Sequence, residues 1–387
     1  MHHSFAVLGI AALICVCFEQ DNTGPWNPGL LTGTSVVHSH SSGQLPCPPY
    51  ARRVKSGTIH MHGNVRLEGS TLYFGNGCGI RFMRTLRIPD DGRTYPLPPG
   101  LGEFPIYPVD DYAGRVPVSW QRNGGYFIPM YQAEAMWISF NAERWEPKAV
   151  KVGVGGINAL DGEQWNLSLS ASPQNYLVVP RQPWLDGIKS GEGTIRQFVA
   201  MPLGKGYTVE AQLTGRETEG GIQIAVFESR PGAIHEPRYD MQCMRTTSSV
   251  KSADAEMGLG AGGEMTQKVY EDTYGIEAWD TARYAFTVIH IVNSETFKSI
   301  TGQDPPPTPV TAASYTEHGY PWFALYDEHM KDIDPTMKLK NVQSVGTLDK
   351  KKGLDNVPND SSITVPDSQV VKLKPGMHKG KHHRHKM

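Results

Sequence analysis

Cysteine is scarce in this chain, with five among 387 residues. Cys15 and Cys17 fall inside a hydrophobic N-terminal run, so Cys47, Cys78 and Cys243 remain for the body. Three thiols allow one internal disulfide and one free or intermolecular cysteine, which excludes a disulfide scaffold. No Cys-x-x-Cys pair occurs, which removes support for a cysteine-based zinc site or a thioredoxin-type redox motif. Excess charge of one sign is also lacking: 37 Lys and Arg oppose 39 Asp and Glu. The body therefore lacks the basic face that nucleic acid requires, and nucleic acid is not an expected partner. Beyond residue 20 no apolar run approaches the ~20 residues of a helical membrane span. Gly-x-Ser-x-Gly elbows, phosphate-binding loops and internal repeats of fixed period are absent as well.

Glycine (41) and proline (29) are abundant, which points to short strands and many turns. Residues 5–18 form an apolar and small-residue stretch closed by Glu19, Gln20 and Asp21. That length suits a secretory signal and is too short to span a bilayer. We therefore expect residues 1–18 to be a signal or hydrophobic segment and the protein to be secreted, although no Lys or Arg precedes the run. A cytoplasmic location is the alternative. Residues 19–55, rich in Gly, Ser, Pro and His, are expected to form an irregular arm.

A β-rich body is expected over residues 56–270. Strand-like runs occur at 58–62, 64–68, 71–74 and 81–88, and again at 148–157, 175–179, 193–201, 208–214 and 221–228. In 148–157, Val150, Val152 and Val154 alternate onto one face. Residues 130–140 fit either helix or strand. The Pro-rich stretch 95–108 is expected to be extended and superficial. Trp279, Ala282, Phe286, Ile289 and Ile300 recur at helical spacing, predicting an amphipathic helix over 276–300. A capping box at Ser314–Glu317 and a further helix over 322–330 complete a helical segment spanning 271–335. Twelve Lys and Arg oppose six Asp and Glu after Met330, and residues 336–387 are expected to be disordered. The fold class expected is α+β and predominantly β: sandwich-like antiparallel sheets, a C-terminal helical segment and a disordered tail.

Candidate chemistry is sparse. His378, His382, His383 and His385 could hold Zn, Ni or Cu, since imidazoles ligate all three, although the interleaved cations oppose it. The same tail offers an anionic surface or polysaccharide a basic partner. Asn166 and Asn359 open Asn-x-Ser sequons, which matter on a secretory route. His60 and His62 resemble the start of a cupin motif, but the gap to Glu68 is too long and no second motif follows. Gly153–Gly156 and Gly258–Gly263 lack the context of a nucleotide loop and read as turns. The acidic pairs Asp90/Asp91 and Asp110/Asp111 are candidates for acid–base work only if the fold separates them suitably. Trp120, Trp137, Trp145, Trp165, Trp184, Trp279 and Trp322 are either core or a sugar-binding platform.

Five phrases carry a resemblance: RTLRIPDDG (84–92), YPLPPGLGEFP (95–105), GYFIPMYQAEAMWISF (125–140), RQFVAMPLGKGYTVEAQLTG (196–215) and GGIQIAVFE (220–228). Residues 84–322 resemble a family of uncharacterised microbial β-rich proteins, often labelled hypothetical or integral membrane protein. No reaction or site residue comes with that resemblance. The expected function is a non-enzymatic, secreted binding or structural protein of extracellular-matrix type. A secreted hydrolase acting on carbohydrate and an intracellular β-rich module are the alternatives.

Overall fold

The computed structural model describes residues 60–62, 64–234, 256–325, 329–354 and 362–373. Among them eighteen strands join one hydrogen-bonded network, and two more form a separate parallel pair. Two strings of antiparallel strands dominate. In the first, Thr71–Phe74 pairs with Cys78–Thr85, then Ala135–Asn141, Thr194–Pro202 and Glu256–Thr266. In the second, Lys148–Val154 pairs with Ile222–Ser229, which pairs with Trp279–Asn293. Tyr126–Met130 adds a parallel neighbour to Trp279–Asn293. The strings join where Glu256 and Met257 meet Val292 and Ile291.

Both strings contribute to one core: Phe82, Ile138, Phe198 and Leu259 from the first, Val150, Val152, Ile224 and Ile289 from the second. The network thus folds over on itself as a sandwich, with Val150, Val152 and Val154 in that shared core. Each such side chain contributes about 1.5–3 kcal/mol when removed from water. The outer faces are covered as well. Trp137, Trp184, Trp322, Ile363 and Leu373 share a cluster on one side, and Tyr176, Phe227 and Trp279 share one on the other.

The expected helix over 276–300 is a correction. Residues 279–293 form a fifteen-residue strand, and helix is confined to the short 3-10 turn Ile276–Ala278 and to Phe297–Thr301. Ala285, Thr287, Ile289 and Ile291 are buried with period two, and β-branched residues crowd this stretch. The register against Ile222–Ser229 shifts between Phe227, opposite Tyr284, and Glu228, opposite Asp280. The residues inserted between Asp280 and Tyr284 change the spacing from Trp279 to Phe286 and imitate a helical period. The β body therefore continues past residue 270. Likewise Trp322–Leu325 is a strand, paired in parallel with Val370–Leu373.

Residues 208–214, expected as a strand, fold as the helix Val209–Thr214. Thr208 Oγ1 accepts from Ala211 N, and Gly215 closes the helix in the left-handed region at φ 72°. The tail also departs from the disorder expected over 336–387. Met337–Lys340 and Val345–Lys351 are helical, anchored by the buried Leu339 and Val345. Sparse apolar anchors at Val342, Ile363 and Leu373 suffice to dock a polar segment. The ambiguous 130–140 resolves into the ends of two strands joined by a turn. Among the described residues, no helix is long and apolar enough to cross a membrane.

Candidate functional site

Of the carboxylates singled out in the sequence, Asp90 and Asp91 are engaged by the fold. Asp90 Oδ2 accepts from Gly346 N at 2.8 Å. Asp91 accepts from Arg93 N at 3.0 Å and Tyr95 Oη at 2.7 Å. Burial opposes its charge, but bonds from Tyr95, Ser362 and Arg93 prevail and hold the carboxyl below its usual value. Asp110 and Asp111 lie exposed in the short helix Val109–Tyr112. Gly258–Gly263 is a correction: it lies within the strand Glu256–Thr266 rather than in a turn. A Cβ at Gly263 would lie 2.2 Å from Pro89 O, so glycine permits close backbone approach there.

Tryptophan is core material here. Trp120, Trp137, Trp184, Trp279 and Trp322 are buried, while Trp145 and Trp165 are half-buried. Cys78 is a buried free thiol, pushed up to about 12 chiefly by burial, which removes nucleophilic character near neutral pH. Asn166 stands in an exposed loop, its Oδ1 accepting from Ser168 N at 2.9 Å and its Nδ2 donating to Gln164 O at 3.2 Å. Asn359, His378, His382, His383 and His385 lie outside the described residues, as do Cys47 and Cys243.

No sequence motif marks the cleft at the turn linking Tyr126–Met130 to Ala135–Asn141. Ala133 adopts φ 64°, which no other non-glycine among the described residues shares in sign. A left-handed alanine costs about 1–2 kcal/mol. The surroundings hold it there: Ala133 N donates to Ala200 O at 2.7 Å, and Ala200 N donates to Glu134 O at 2.9 Å. Glu134 is buried, with Oε2 accepting from Tyr131 N at 2.9 Å. Its Oε1 accepts from Arg84 Nε at 2.8 Å and lies 2.6 Å from Arg84 Nη2. Arg84 Nη2 in turn donates to Pro307 O at 2.6 Å, which ties the Pro-rich 304–309 connector to the turn.

Burial raises the carboxyl of Glu134 above its usual value, against the opposing Arg84 charge. Tyr131 is raised by burial and then by the Glu134 charge. Around this pair lies a cleft of about 320 Å³. Arg87, Tyr131, Gln132, Ala133 and Ala135 form one wall and residues 308–311 the other. Val310 stands 55% exposed at the rim, an apolar side chain that no fold requirement places there. This cleft combines a mixed lining, a fixed buried charge pair and a strained residue, features that recur at ligand sites.

A second cavity of similar volume is lined by Gln174, Tyr176, Glu271, Asp272 and Asp334. Asp272 Oδ2 accepts from Tyr176 Oη at 2.6 Å and Trp279 Nε1 at 2.8 Å, and Oδ1 accepts from Tyr274 N at 2.8 Å. Both oxygens are thus committed to the fold. Glu271 pairs with Lys331. Among the described residues no group of three or more His, Cys, Asp or Glu is arranged to hold a metal ion.

His290 illustrates a buried titratable group in a structural role. Its ring stacks on Trp120 at 4.6 Å and 13°, with Nε2 3.0 Å from Gly124 O. Burial pushes it down to about 4, with the Gly124 bond opposing. The unfolded chain, with histidine near 6.5, then binds the extra proton between those values, so stability falls as pH drops from about 6.5 to 4. We expect His290 to account for about 3 kcal/mol of that loss. Urea denaturation at pH 7 and 4.5 should show a shallower pH dependence in His290→Phe; an unchanged slope would refute the assignment.

Comparison with protein-family models, curated proteins and solved structures finds no match for the chain.

Proposed function

We propose that this is an exported, non-catalytic binding protein whose ligand seats in the cleft at the 131–135 turn. The observation that carries the reading is Ala133, held left-handed by the Ala200 bonds beside a buried Arg84–Glu134 pair. Strain of this kind persists where the surroundings over-determine it, and such positions cluster at ligand clamps. The lining sets the ligand class. Ala133, Ala135, Pro309 and Val310 offer an apolar wall, and Gln132 an amide at the polar side. A small organic molecule with an apolar body and one hydrogen-bonding end suits that lining and volume. Both Glu134 oxygens already hold Arg84 and the Tyr131 amide, which supports a positioning role over proton transfer. Export is supported by the apolar run at residues 5–18 and its polar boundary.

Ligand-observed NMR with a small-fragment set tests the cleft. Fragments that bind the full chain should lose about tenfold in affinity, equivalent to ~1.4 kcal/mol, in Val310→Arg, because the new side chain blocks an exposed rim without disturbing the core. Hits indifferent to Val310→Arg, or no hits at all, would overturn the assignment. N-terminal sequencing of the protein from its source tests export, and an intact Met1 would refute it.

A further inference from the structure

Among the described residues three lysines are buried in strands, and two have a carboxylate in contact. Lys148 Nζ reaches Glu228 at 2.5 Å and Glu146 at 2.9 Å. Lys189 pairs with Asp332. The third, Lys151, has no ion pair, although its side chain is 1% exposed. Its Nζ donates to Ser168 O at 2.6 Å and Asn166 Oδ1 at 3.3 Å, both neutral acceptors.

The surroundings of that amine are built rather than incidental. Lys151 lies on the outer face of Lys148–Val154, two residues from Gly153. The Trp165 indole packs onto Gly153 so closely that a Cβ there would lie 2.5 Å from Cε3. Lys151 Nζ sits 5.6 Å from the Trp165 ring, and Phe286 lies 6.1 Å beyond it, centroid to centroid. An aromatic wall thus stands beside the nitrogen. The cover is the 165–168 segment, whose Asn166, Leu167 and Ser168 are all exposed. Opening it breaks the two bonds from Nζ, the local loop bonds of Asn166 and the bond from Asn175 Nδ2 to Ser168 O at 3.3 Å, while Trp165 N stays on Gly156 O at 2.8 Å.

We propose that Lys151 is a nucleophilic amine site that captures aromatic aldehydes as a protein-bound imine. The neutral Nζ attacks the carbonyl carbon, a C–N bond forms, and the carbonyl π pair moves to oxygen. Proton transfer from nitrogen to oxygen gives the carbinolamine. Loss of water then leaves the C=N bond, so amine and aldehyde become imine and water with no redox change. The aldehyde ring would lie against Trp165, which is why an aromatic aldehyde fits better than an aliphatic one. Charge supports the geometry: burial pushes the Lys151 amine down to about 8, against Asp161, the charged group that opposes the shift. At pH 7.5 about a quarter of such an amine is neutral, against roughly one part in a thousand for an exposed lysine. The site is independent of the 131–135 cleft.

Limiting pyridoxal followed by borohydride, with peptide mapping of the full chain, tests the site. Lys151 should be labelled about tenfold faster than the exposed Lys205 and Lys350 at pH 7.5, with its labelling midpoint near 8. Asn166→Asp supplies a carboxylate beside Nζ and should slow labelling at Lys151 about tenfold, because an adjacent opposite charge favours the ammonium. Lys151→Arg keeps the charge, so a folded variant that loses the fast adduct supports the assignment. Equal labelling of surface lysines, a midpoint near 10, or indifference to Asn166→Asp would each overturn it.

Discussion

Replacing Asp332 with alanine is expected to destabilise the protein by about 3–5 kcal/mol, because it leaves a buried ammonium without a partner. Asp332 ties together three segments that are distant in sequence. Its Oδ2 accepts from Lys189 Nζ and from Gly193 N at 2.6 Å, and its Oδ1 accepts from Val269 N at 2.8 Å. The Lys189 side chain is fully buried, so water cannot replace the lost carboxylate. Lys189→Met should be milder, since Asp332 retains two backbone donors and the methionine fills similar volume. The two variants also differ in their response to pH. Burial already holds Lys189 below its usual value, with Asp332 opposing that shift. Without Asp332 the shift deepens, and the unfolded chain binds the extra proton up to about pH 10.4. Stability of Asp332→Ala should therefore recover as pH rises towards 10, and that of Lys189→Met should not. Guanidinium denaturation at pH 7 and 9.5 reads both effects. An Asp332→Ala variant within 1 kcal/mol of wild type would show that the ammonium finds water.

The same buried lysines show what the sequence concealed. Alternation of Val150, Val152 and Val154 exposed the strand at 148–154, and strand-like runs bounded by turns exposed those at 71–74 and 222–229. The alternation also implied that Lys151, opposite in phase to Val150 and Val152, faces solvent. It is buried because the 165–168 loop covers the outer face of that strand, and such coverage is a tertiary fact with no local period. The cleft was less legible still. Alanine gives no warning of a left-handed backbone, unlike glycine or asparagine. The pair that buttresses it, Arg84 and Glu134, is separated by fifty residues. The strand Trp279–Asn293 was misread for the opposite reason, since its register shift produced a local pattern that the pairing contradicts.

Trp279, the first residue of that strand, is where packing and hydrogen bonding separate most cleanly. Its side chain is fully buried, edge-on to Tyr176 at 6.3 Å and to Tyr274 at 5.9 Å. Trp279→Ala should cost about 3–5 kcal/mol, the loss of a large apolar surface plus the cavity it leaves. Trp279→Phe keeps much of the ring and removes only the bond from Nε1 to Asp272, which retains Tyr176 Oη and Tyr274 N. That variant should cost about 1–3 kcal/mol, the penalty of a buried carboxylate short of one donor. The difference between the two measures what packing contributes beyond the hydrogen bond. Added indole should raise the melting temperature of Trp279→Ala while leaving that of wild type unchanged, because a dry cavity of matching shape accepts an apolar guest. If the phenylalanine variant proves as damaging as the alanine one, the Asp272 bond outweighs the packing. Indole would then restore little unless its own N–H reached the same carboxylate oxygen.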